Sequence, residues 1–229
     1  REVKLLKEMA SNQGKEMTGP LHIGLIPTVG PYLLPYIVPT LKETFPDLEV
    51  FLYEAQTHQL LEQLETGRLD CAIVARVPET EAFIEVPIFD EKMLLAVSDQ
   101  HPWASESKIA MNTLKGQEML MLDDGHCLRN QALDYCFMAG AKEDPHFQAT
   151  SLETLRNMVA ANAGITFMPE LAVLNEGTRA GVKYIPCHSP EPSRTIALVY
   201  RPGSPLRNRY ERVASAISEQ VKSILANKK

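Results

Sequence analysis

Apolar residues along this chain switch repeatedly between two periods, the two-residue alternation of strands and the three-to-four-residue spacing of helices. Residues 19–26 (GPLHIGLI) alternate and end at Pro27-Thr28-Val29-Gly30. Residues 31–45 then read as a helix, where Pro31 suits the first turn and Pro35 and Pro39 should break or kink it. Strands are predicted over 48–53, 70–75, 83–89, 92–97, 118–122, 147–149, 164–168, 182–185 and 195–201. Helices are predicted over 57–65, with Thr57 as N-cap, and over 127–138, 151–161 and 205–226.

Strands alternating with helices imply parallel α/β sheets. Roughly ten strands in one chain of this length suggest two α/β lobes. The chain should cross between them near 89–93 and return near 194–200. A length of 229 residues with 45% hydrophobic content is enough for such cores. Ligands in such folds bind at the carboxyl ends of strands, beside the following helix starts. That rule places Thr28, Thr57 and the turn 123–127 on the functional rim.

Charge and termini narrow the classes. A formal charge of -6 argues against a nucleic-acid-binding surface in this piece. No run of about 18 apolar residues is present, so no membrane span is expected. The first ten residues are charged, lack a secretory apolar core and carry no initiator Met. The expectation is a fragment of a longer cytoplasmic protein. Residues 1–13 are helix-prone with one stripe of Val3, Leu6 and Ala10, as in a linker to a preceding domain.

The segment DDGHCLRNQALDYC carries the sharpest chemistry. Cys127 follows His126 at a helix start, where backbone N–H groups and an imidazolium favour a thiolate. Asp123 and Asp124 oppose this if they approach the sulfur, or else cap the helix. Arg129 either favours the thiolate or pairs with an acidic neighbour. On an unbroken helix Cys127 and Cys136 would stand about 13.5 Å apart along the axis. A disulfide needs Cα atoms within about 7 Å. Bonding therefore requires the segment to unwind, which would couple oxidation to shape. The bland alternative is two ordinary core cysteines. Cys71 and Cys187 read as core residues. No metal site is expected, because no CxxC pair exists. No dinucleotide, P-loop or nucleophile-elbow signature exists either, so no cofactor is expected.

Five stretches, 24–46, 54–73, 125–137, 151–169 and 194–207, together resemble the regulatory domain of the peroxide-sensing branch of the LysR-type transcriptional regulators. The similarity runs from about Met17 to Ile224. The C-x8-C pair after Gly-His is specific to that branch, and SLETLRNMV…GITFMP to the family at large. The resemblance implies two Rossmann-like lobes on the plan of periplasmic binding proteins. Residues 17–91 plus 195–229 would form lobe I, and 92–194 lobe II with the redox cysteines, after a linker at 1–16. Cys127 would be the peroxidatic cysteine and Cys136 the resolving one. Thr28, Thr57, His126 and Arg194 would surround the bound hydrogen peroxide. A missing N-terminal helix-turn-helix domain would bind DNA. The other partners implied are RNA polymerase, further copies in a homodimer or homotetramer, and a cellular thiol reductant. Asp134 departs from the small residue usual two places before the resolving cysteine, and its carboxylate should disfavour a Cys136 thiolate. Two other classes stay open: a metabolite-binding LysR-type domain and a thiol peroxidase enzyme.

Overall fold

The structure, a computed structural model, describes residues 17–174 and 181–226. The linker helix expected over 1–13 lies outside them. In chain order the elements are β1 (Gly19–Leu25), α1 (Gly30–Thr44), β2 (Leu48–Glu54), α2 (Thr57–Glu65), β3 (Cys71–Ala75) and β4 (Ile84–Ser98). Then come β5 (Glu118–Leu122), α3 (Cys127–Ala139), β6 (Lys142–Ala149), α4 (Leu152–Ala160), β7 (Thr166–Pro169) and α5 (Glu170–Leu174). The chain closes with β8 (Val182–Ile185), β9 (Ser193–Tyr200) and α6 (Arg207–Ala226).

The main sheet runs β2-β1-β3-β9-β4-β7, with β8 also on β4. β5 and β6 pair separately and touch the rest through a Met119–Ile165 bridge. The β1–β2, β1–β3 and β5–β6 pairs are parallel, as the alternation predicts. Every pair made by β9 or β4 is antiparallel, so the sheets are mixed. The difference arises because these two strands carry the chain between lobes and run against each other.

The two strands predicted over 83–89 and 92–97 are one strand of 15 residues. The gap left between them is Asp90-Glu91. In the structure Asp90 pairs with Thr195 and Glu91 with Arg194 of β9, so the strand runs through. The ladder with β9 has a register irregularity between Pro87 and Phe89.

α1 is likewise continuous through Pro35 and Pro39, against the expected break. Pro31, Pro35 and Pro39 recur every fourth residue on its exposed stripe, opposite buried Leu33, Ile37 and Leu41. Pro35 and Pro39 leave the Pro31 and Pro35 carbonyls without a helical N–H, and because both residues are exposed water can take the bond.

Two hydrophobic cores form. One gathers β1, β3, the first half of β4, β9 and the inner faces of α1 and α6. The other gathers the second half of β4 with β5, β7 and the inner faces of α3 and α4. The molecule is thus α/β with two lobes. Among the described residues no helix is long and apolar enough to cross a membrane.

Candidate functional site

Two helix starts meet at the carboxyl ends of β2 and β5. The N-cap of α2 is Gln56, not Thr57, and its backbone N–H donates to Gln59 Oε1 at 3.3 Å. Thr57 is therefore the first helical residue, and its hydroxyl is free of capping duty. That hydroxyl is buried and has no hydrogen-bond partner among the described residues. The turn before α3 comes close because residue 125 is glycine. Its φ is +95°, and an added Cβ would sit 2.5 Å from Gln56 Oε1.

Between the two starts lies a cavity of about 160 Å³. Thr57, His126 and Cys127 line it together. His58, Glu79 and Asn130 also face it, and sequence reasoning singled out none of them. His58 and Asn130 each follow a recognised residue on a helix, which was the signal available.

Cys127 opens α3, behind His126 at the N-cap. No side chain caps this helix, so Asp123 and Asp124 do not take that role. Asp123 Oδ1 instead lies 3.1 Å from His126 Nε2, near enough to pair with a protonated ring, although no hydrogen bond forms. Arg129 takes the acidic neighbour: it is 2.7 Å from Glu143 and 3.5 Å from Asp124.

Cys136 lies on the same unbroken helix but in the other core. Cys127 packs into the first cluster and Cys136 into the second. The Cys136 thiol is fully buried and donates to Met119 Sδ at 3.1 Å. All four cysteines are free. Burial, and then the Glu143 carboxylate, pushes the Cys136 thiol up to about 12. The carboxylate that acts on Cys136 is thus Glu143, whereas Asp134 is exposed. Burial, then Glu191, pushes Cys187 up to about 11, and burial, then Asp70, raises Cys71 well above the usual thiol range.

These shifts fix an alkaline limit. A thiol whose folded value is raised contributes stability that is full below its unfolded value, about 8.5, and lost as pH rises to the folded value. The thermal midpoint of the reduced protein should hold to about pH 8, then fall from about pH 9 towards 12. Cys136→Ala should flatten part of that slope. A level profile up to pH 11 would show that the thiol is not sealed from water.

Arg194 and Thr28 form a separate buried group. Arg194 Nη1 donates to Thr28 Oγ1 at 2.9 Å, and Nη2 donates to the Thr28 carbonyl at 3.1 Å. The same guanidinium pairs with Glu91 at 2.7 Å, and both side chains are buried. Glu91 also accepts from the Leu171 N–H at 3.0 Å, which leaves no lone charge in the core. Neither Thr28 nor Arg194 lines the cavity beside Cys127. Glu91 escaped the sequence reading, although an acid inside FDEKMLLA, at the crossing, was a hint. Among the described residues no group of His, Cys, Asp and Glu side chains is arranged to hold a metal ion.

Comparison with known proteins matches residues 14–222 to the LysR substrate binding domain. A hydrogen peroxide-inducible genes activator of Haemophilus influenzae is 91% identical over 225 residues, which cover 98% of this chain and 75% of that protein. The crystal structure of the oxidised form of OxyR superposes with a TM-score of 0.84 at 64% identity, covering 91% of this chain and 98% of that one. The reduced form of OxyR also gives 0.84, at 61% identity, covering 90% of this chain and 98% of that one. With the two-lobed fold, the Gly-His-Cys helix start and the nine-residue cysteine spacing, these likenesses place the chain in the LysR family of transcriptional regulators, within its OxyR group.

Proposed function

We propose that this chain is the redox-sensing regulatory domain of a DNA-binding transcription factor. Hydrogen peroxide activates it through a Cys127–Cys136 disulfide, and the active form induces antioxidant genes. One observation carries the reading: the two cysteines share an unbroken helix, one at a cavity and the other sealed in a different core. A bond between them is impossible without refolding the helix, so oxidation and shape are one event. The likeness to a relative solved in both oxidised and reduced forms supports two stable states.

In this scheme Cys127, as a thiolate, attacks one oxygen of peroxide. The O–O bond breaks, sulfur is oxidised to a sulfenic acid, and the departing hydroxide takes a proton to become water. Thr57 and His126 stand in the cavity wall to hold peroxide and supply hydrogen bonds. Arg194 and Thr28 stand outside that wall, and their part in this scheme is to add a second, buried hydroxyl to the peroxide contacts as α3 moves. Arg194, fixed by Glu91, uses Thr28 Oγ1 as acceptor, so the hydroxyl keeps its own hydrogen to donate. The Cys136 thiol then displaces hydroxide from the Cys127 sulfur. An S–S bond forms, the S–O bond breaks, and the thiol proton leaves in water. A cellular thiol system supplies the two electrons that reverse the change.

Residues 17–91 with 195–229 act as lobe I, and 92–194 as lobe II, joined by residues 1–16 to a helix-turn-helix domain on DNA. Rearrangement of α3 alters packing in a homodimer or homotetramer and, through the DNA-bound domains, contact with RNA polymerase. The protein works in the cytoplasm, where thiol reductants reset it. It is not an enzyme: it reacts once per reset, whereas a thiol peroxidase turns over.

The test is one equivalent of hydrogen peroxide on reduced protein, with cysteines mapped by mass spectrometry under non-reducing conditions. The expected product is a 127–136 disulfide, with Cys71 and Cys187 left as thiols. Four unchanged thiols would sink the reading and favour a metabolite in the cleft.

A further inference from the structure

Tyr135 stands immediately before Cys136, on the side of α3 that meets the start of β9. Its hydroxyl donates to the Ser193 carbonyl at 3.0 Å and accepts from the Ser193 N–H at 3.2 Å. One phenol thus ties α3 to both backbone groups of a residue that begins the strand. The anchor is firm. The Pro192 carbonyl accepts from the Met93 N–H at 2.8 Å, Ser193 pairs with Lys92, and Arg194 is held by Glu91 and Thr28.

This tie opposes the disulfide step by simple geometry. Adjacent Cα atoms are about 3.8 Å apart, so Cys136 cannot travel far while Tyr135 is fixed. The axial gap of about 13.5 Å closes by movement at either end of α3, and the latch withholds the Cys136 end from that movement. We propose that Tyr135 is a positioning residue, a latch on Ser193 that sets the rate at which Cys136 reaches the Cys127 sulfenic acid. The inference rests on the redox reading above and concerns only its second step.

Tyr135→Phe removes the latch and little else. Ring and torsions are kept, and Ser193 is exposed, so water can take both freed backbone groups. The sulfenic acid, trapped by a carbon-acid reagent in rapid-quench samples, should appear at the wild-type rate. Its conversion to the disulfide should be roughly tenfold faster, the scale of losing two modest hydrogen bonds. Under excess peroxide the variant should therefore yield less Cys127 sulfinic acid, because the intermediate is consumed sooner. A second step within twofold of wild type overturns the proposal, and so does a slowed first step, which would put Tyr135 in support of the cavity. Hydrogen exchange in the wild-type protein gives a reading independent of any variant. The Ser193 amide should be protected when reduced and exposed when oxidised; protection kept after oxidation overturns the latch. Absence of any 127–136 disulfide in wild type would instead strike the redox reading itself.

Discussion

Cys127→Ser protein should lose its reaction with hydrogen peroxide by a factor on the order of 10³ or more, the scale seen when a nucleophile is removed. The other thiols give no substitute. Cys136 is held near 12 and Cys187 near 11. At pH 7 such values leave roughly one thiolate in ten thousand or fewer. Cys136→Ser should behave differently. Its first step should run at the wild-type rate, and the sulfenic acid, lacking a partner, should persist and climb to sulfinic acid under excess peroxide. Quenched-flow mass spectrometry separates these outcomes. A Cys127→Ser protein that still formed a disulfide within a few seconds would show that another thiol is the primary target.

Arg194→Met should unfold at much lower temperature. The substitution strands Glu91, which is only 1% exposed, without its cation. Removing one partner of a buried pair costs about 3–5 kcal/mol. For a chain of this size that is a fall of about 6–20 °C in thermal midpoint. The double variant Arg194→Met with Glu91→Gln should recover much of the loss, since the stranded charge goes too. Calorimetry of the two variants decides the matter. A loss under about 1 kcal/mol in the single variant would show that water reaches Glu91 and that the pair is a surface contact in disguise. In the proposed mechanism the same substitution also releases Thr28, so the peroxide rate should drop even at temperatures where the variant stays folded.

Sequence order was sufficient for much of this fold, because hydrophobic period is a local property. The strand at Cys71–Ala75 is buried at every position and needed no partner to be read. Local signals failed where a distant residue changes the meaning of a near one. Glu91 in a strand reads as a break until Arg194, far along the chain, arrives opposite it. Pro35 and Pro39 read as breakers until their shared exposed stripe is seen. The cavity was half legible. Thr57, His126 and Cys127 follow from placing helix starts at strand ends, and all three line it. The buried Thr57 hydroxyl, the Met119 contact of Cys136 and the Glu143 charge depend on packing between elements, which no spacing encodes. Asp134 is exposed, and the carboxylate that raises the Cys136 thiol is Glu143, which sequence proximity did not suggest.

The unbroken course of β4 through both lobes limits how a signal can leave the molecule. A clamp that reports by closing on its guest needs a compliant joint between jaws. Here the crossing is a double spar, β4 laid against β9 and bolted by Arg194 to Glu91 in the dry interior. On the proposed redox reading the signal leaves through α3, which must refold before Cys127 and Cys136 can bond. Such a molecule speaks through a change of relief on its flank, and its audience must be whatever rests against that flank.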